Sequence, residues 1–513
     1  MKLFLPLLLL LSCSSAPASP FDEAESLANT QKQGRVRDLY REAAKSDPDP
    51  QRREKAAIRA AQLEWRVFRN AAAARQLLGT LDTSDAWLEQ ARVSLELERN
   101  YAAARASVQK ALAAAKTNED RRAANTGLAI INVEERRELP RAIALLEQTI
   151  AEAGPRIETS RLLLKAAILA NDDATALRAL RWYYADVPSL VPDSVPDRRA
   201  LGRALANARL YEEAALILTD DAELVAYAKV LERLRAICDD HFRKAATGEE
   251  SMRAFRKAVL ATIPKDAQAR FGAVYTIGQT DNVGGMHYGH RVLDERRSVE
   301  QYGQKGMVRF VLLDNMIANG FMAWIRDNHT GTGGWNEKET IYQVRPMYAN
   351  SPVRAWMRLH DPERRAKDDR EIADQTRRKS LLGVALRMER QYLETLPKER
   401  DAFIERYRRE EFDHSIWAHE GRHAIDHAVY KIENSEELEY RAKLSEIVFA
   451  ASPRLAFADG ILSTVGDTPH GRANKRVLDG IQRVTKLGAL TDLDKLTDEQ
   501  LRAAARSLDP MAK

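Results

Sequence analysis

The sequence predicts a mainly α-helical protein, in which an all-α N-terminal half built of helical repeats precedes an α+β domain. Two observations carry that reading. From about residue 21 to about residue 240 apolar positions recur with helical spacing in a chain rich in Ala, Leu, Arg and Glu, with scarcely any Val/Ile/Thr alternation. After Pro264 the texture changes: Gly becomes frequent, as at Gly278, Gly284 and Gly285, and strand-like stretches appear at FGAVYTIG, GMVRFVLL and TIYQVRPMY. At 513 residues the chain exceeds what one hydrophobic core usually supports. The expected organisation is a leader over 1–20, a helical-repeat domain over 21–240, a linker over 241–264 and a second domain over 265–513.

The leader comes first. Lys2 precedes an apolar run over 3–11, too short to span a bilayer but suited to a signal peptide. Leu10, Leu11, Ser12 and Cys13 then resemble the lipobox of bacterial lipoproteins, which implies lipidation of Cys13 and a lipid anchor. Cleavage after Ala16-Pro17-Ala18 is the alternative and would leave a soluble periplasmic protein. Ser14 after the Cys favours sorting to an outer membrane, so the expected place is the periplasmic side of a bacterial cell envelope. Besides Cys13 the chain has only Cys238, which rules out a Cys-based structural zinc site. Any metal must use His and carboxylates.

Within the N-terminal half, Ala-rich segments recur at RNAAAARQLL, RNYAAARASV, LPRAIALLEQ, NDDATALRAL and LYEEAALIL, spaced roughly 31 to 40 residues apart. Small residues at that period allow neighbouring helices to approach closely, and the pattern resembles an eroded tetratricopeptide array. A surface of that kind implies a protein partner. Nucleic acid is not expected, because 80 basic residues face 75 acidic ones and no basic cluster is interleaved with aromatics.

In the second domain, HTGTGGW reads as an exposed loop, 362–378 as a solvated charged segment, and the chain from Lys379 onward as mostly helix, with the helices beyond Arg472 as a C-terminal cap. The stretch Trp417-Ala418-His419-Glu420-Gly421-Arg422-His423-Ala424-Ile425 contains an HExxH motif. A spacing of four puts both imidazoles on one helical face, where their nitrogens can converge on one zinc ion, with Glu420 beside it as general base. Arg422 departs from the usual uncharged residues at this place, and a carboxylate at the helix surface is its expected partner. His427 extends the ladder, but residues eight apart on a helix are separated by about 12 Å along the axis, whereas zinc–nitrogen bonds are about 2 Å. His427 is therefore excluded as a ligand of the same ion. Asp426 stands where a metzincin would have Gly.

With these motifs the chain resembles the gluzincins, zinc metallopeptidases that take a third ligand, a Glu, from a following helix. The helix EELEYRAKLSEIVFA offers Glu439, the preferred candidate, and Glu446, the alternative; the one not used would hydrogen-bond a ligating His. The resemblance implies a single zinc ion, a peptide or protein substrate held along a sheet edge, proton transfer by Glu420, and a downstream oxyanion donor, for which His470 in the segment DTPHG is the candidate. His287 and His290, in what reads as a Gly-rich loop, are weaker candidates for a metal or substrate contact. The competing class is a non-catalytic helical-repeat lipoprotein scaffold with a degenerate zincin domain.

Overall fold

The computed structural model describes residues 19–27, 32–243, 249–280, 283–318, 334–337, 340–462 and 468–512. Cys13 and nearly all of the leader lie outside these residues, as does most of HTGTGGW. The chain is mainly helical, with one small sheet.

Helices Pro50–Arg66 and Ala71–Leu78 form an antiparallel pair, followed by Ser84–Arg92 with Tyr101–Ala114, Asn118–Glu135 with Leu139–Ala153, Ile157–Ala170 with Asp173–Tyr183, and Arg198–Asn207 with Tyr211–Ala215. Each Ala-rich segment supplies the second helix of a pair. Polar residues start three of these helices: the side chains of Asn70, Asn100 and Asp172 accept from the backbone N–H of Ala73, Ala103 and Thr175, each at 3.0 Å. Ala74, Ala104, Ala142, Ala176 and Ala214 are all fully buried, so the short side chain at each repeat is what lets the helices close on one another.

The expected linker is instead helical: helix Ala222–Arg243 covers its start and helix Glu249–Thr262 most of the rest. An amphipathic segment with buried Phe255 and Val259 has a core to join and no reason to be a tether.

The sheet follows. Strands β1 (Ala273–Thr280), β2 (Val283–Gln301), β3 (Gln304–Ala318), β4 (Gly334–Glu337) and β5 (Thr340–Val344) lie in the order β1-β2-β3-β5-β4. All neighbours are antiparallel except β3 and β5. Gly334 and Trp335 of the HTGTGGW segment belong to edge strand β4. The MHYGH segment is not a loop either; it lies in β2, where His290 is fully buried with Nε2 2.8 Å from the Tyr227 hydroxyl. Burial, and then the charges of Arg209, Arg235 and Arg161, push the His290 pKa down to about 3.

One apolar core runs from the later repeats through the sheet to Ile416, Ala424 and Ile425. Arg345, just after β5, stitches the two halves together: Nε and Nη2 donate to Asp186 at 2.8 to 3.0 Å, and Nη1 donates to Asp314 at 2.8 Å. Helix Pro362–Arg377 has no buried residue, as its charge density predicts. A second core joins helices Leu381–Leu393, Ser435–Phe449, Pro469–Thr485 and Asp498–Leu508. Among the described residues no helix is long and apolar enough to cross a membrane.

Candidate metal centre

From Arg400 to Tyr430 the chain is one helical rod in which α-helical stretches Arg400–Phe412 and Gly421–Ile425 alternate with π-helical stretches Asp413–Glu420 and Asp426–Tyr430. Such widened turns concentrate at functional sites. The HExxH motif straddles the junction, with His419 and Glu420 ending the first π stretch and His423 in the α stretch after it. Gly421 is required by close approach: a Cβ there would stand 2.7 Å from Val299 Cγ1 of β2, a stiff β-branched side chain.

Helix Ser435–Phe449 crosses the rod, started by Asn434, whose side chain accepts from Glu437 N–H at 2.9 Å. The crossing brings Glu439 against both imidazoles. His419 Nε2 lies 3.2 Å from His423 Nε2 and 3.7 Å from Glu439 Oε2, and His423 Nε2 lies 3.4 Å from Glu439 Oε1. Zinc bonds of about 2.0–2.1 Å in a tetrahedron place neighbouring donor atoms about 3.3–3.4 Å apart. The donor set, two imidazoles and one carboxylate with ligand atoms within 4.8 Å of one another, thus fits zinc in size and in chemistry.

Glu446, one heptad after Glu439, takes a different place. Its Oε1 hydrogen-bonds His419 Nδ1, which leaves His419 Nε2 facing His423 and Glu439. Lys443 Nζ donates to the same oxygen at 2.7 Å, and His414 Nδ1 lies 3.8 Å from Oε2. Burial would raise the Glu446 pKa, but Lys443, His414 and His419 outweigh it and hold the carboxyl well below the usual range. Glu439 follows the same pattern, its burial outweighed by His423, His470 and His419. His423 is raised overall: burial opposes its charge, while Glu439, Glu420 and Asp426 favour it.

Glu420 is partly exposed, with Oε1 3.9 Å from His419 Nε2. His470 is not in a loop. It is the second residue of helix Pro469–Thr485, whose start Thr468 caps by accepting from Gly471 N–H at 3.0 Å, and its Nδ1 lies 2.7 Å from Glu439 Oε2. His427, on the second π stretch, has no part in the cluster.

Arg422 does meet carboxylates, but in the interior rather than at the helix surface. It is fully buried, donating from Nε to Asp426 at 2.9 Å and from Nη1 to Ser445 at 3.0 Å. Ser445 in turn donates to Gln301 Oε1 at 2.8 Å, and Gln301 Nε2 donates to the carbonyls of Trp417 and Ala418 at 3.1 and 3.0 Å. The end of β2 therefore clamps the π stretch immediately before His419. Gln301, Ser445 and Asp426 escape sequence reasoning because nothing in their local pattern marks them; only the crossing of strand, rod and helix brings them together.

No family model matches the chain, and no curated protein matches it significantly. The crystal structure of the C-terminal part of a TPR repeat-containing protein from Cytophaga hutchinsonii is similar at 13% identity, over 48% of this chain and 97% of that one, with a TM-score of 0.28. So distant a likeness says nothing of activity.

Proposed function

We propose that this chain is a zinc-dependent peptidase of the bacterial cell envelope, with one zinc ion held by His419, His423 and Glu439. The observation that carries the reading is the triangle of donor atoms at 3.2, 3.4 and 3.7 Å, backed by the Glu446 bond that orients His419. Zinc, when bound, supplies a Lewis acid that makes water nucleophilic near neutral pH. Glu420 accepts a proton from water and returns it to the leaving nitrogen. His470, half-exposed beside Glu439, is the donor for the substrate's carbonyl oxygen. The edge strand β4 offers main-chain groups to an extended peptide. Cys13 is the proposed lipid anchor, and the helix pairs are the proposed surface for a protein partner, both on the sequence alone.

Zinc content decides the matter. About one zinc per molecule in the purified protein, lost in His423→Ala and in Glu439→Ala, is the expected result. A well-folded parent that binds no zinc sinks the peptidase reading and leaves a helical-repeat scaffold as the better account.

A further inference from the structure

A cleft of about 560 Å³ lies between the end of the repeats, one face of the sheet and helix Arg400–Phe412. Val187, Pro188, Leu293, Phe310, Leu312 and Phe412 give it apolar walls. Of the arginines that line it, Arg345 is saturated by Asp186 and Asp314, Arg297 is paired with Glu295 and lies over the rings of Phe412 and Trp417, and Arg409 is exposed to solvent. Arg408 differs. Its Nη1 donates to the Ala185 carbonyl at 3.2 Å, its buried Nε has no hydrogen-bond partner, and among the described residues no carboxylate lies within ion-pair distance of it. A half-buried guanidinium whose Nε is cut off from water without a partner is costly unless a ligand completes it.

Glu411 stands in the same wall. Burial, and then the nearby Asp459, push its carboxyl up to about 8 against the opposing Ser351 hydrogen bond and the charges of Arg354 and Arg408, so near neutral pH it is largely protonated and can donate. A cation and a carboxylic acid three residues apart on one helix, both lining an apolar-walled cleft, are complementary to an anion that can accept from both and that carries an apolar body. Tyr348 also lines the cleft, and its pKa is raised first by burial and then by Asp459, Glu411, Glu420 and Glu446.

We propose that this cleft binds the carboxylate of a ligand with an apolar body, through Arg408 and Glu411. Resting on the peptidase reading above, that carboxylate in a substrate is the C-terminus of a peptide whose last residue is apolar. The test uses the full chain and titration calorimetry with 3-phenylpropanoate and its amide, in the parent, Arg408→Gln and Ala349→Phe, the last of which fills the cleft without touching the charge. Binding of the acid but not the amide, weakened at least tenfold in both variants, is expected. Equal binding of acid and amide, or undiminished binding in Arg408→Gln, overturns the proposal. In a second arm, N-acetyl-Ala-Ala-Phe is expected to be cleaved with kcat/KM at least tenfold above its C-terminal amide; equal cleavage overturns the substrate assignment and leaves a free carboxylate as the ligand. Zinc content in the same preparation separates the two readings, since a zinc-free protein that still binds 3-phenylpropanoate through Arg408 overturns the peptidase reading and keeps the cleft.

Discussion

Arg422, inside the HExxH motif, is gripped by Asp509, four residues from the C-terminal Lys513: Nη1 and Nη2 donate to the two carboxylate oxygens at 2.8 and 3.1 Å, and both side chains are fully buried. The C-terminal segment is thereby tied to the rod one residue from His423.

Breaking that grip leaves a buried charge short of a partner. Asp509→Ala is expected to cost about 3–5 kcal/mol of stability, measured by denaturant unfolding. Arg422→Met combined with Asp509→Leu is expected to recover much of the loss; a double variant as unstable as the sum of the singles would show that the ion pair is not the cause.

Glu446 orients His419 whereas Glu439 lies among the donor atoms, so their variants should separate. Glu446→Gln is expected to weaken zinc about 10–100-fold in chelator competition while keeping the stoichiometry, as loss of a partner behind a ligand does. Glu439→Gln is expected to weaken it further. The reverse ranking would make Glu446 the third ligand.

Gln301 holds the carbonyls of Trp417 and Ala418 and accepts from Ser445. Gln301→Leu strands these groups in the interior and is expected to cost about 1–3 kcal/mol. Hydrogen exchange should quicken across Asp413–Glu420 more than in the repeats; uniform change along the chain would argue against a local clamp.

The buried Glu411, its folded pKa raised to about 8, makes stability depend on pH. With an unfolded value of about 4.3, the folded state binds more protons between the two values, so its contribution is complete below about pH 4 and is lost as pH rises through about 8. Stability should fall by up to about 1.4 kcal/mol per pH unit across that window. Glu411→Gln should flatten the slope, and an unchanged slope would assign it to another group.

Overpacking tests the repeats. Ala176→Leu places a larger side chain where a fully buried Ala lets two helices close, with an expected cost of about 1–3 kcal/mol in thermal or denaturant unfolding, whereas Ala102→Leu, on the exposed side of Tyr101–Ala114, should change stability little.

Much of this was legible in the chain itself. Ala-rich segments recurring roughly 31 to 40 residues apart marked the helical repeats, because close helix approach is a local demand written in neighbouring residues. The spacing of His419 and His423 likewise put two imidazoles on one face, since helical periodicity is a short-range property. The choice between Glu439 and Glu446 was not local: seven residues apart, they share a face, and only the angle at which helix Ser435–Phe449 crosses the rod sets one among the donor atoms and the other behind His419. The same holds for the helical stretch read as a linker, the β2 segment read as a loop, and the partners of Arg422. Each depends on which distant surface is present to bury it, and that is decided by packing across hundreds of residues rather than by the order of neighbours.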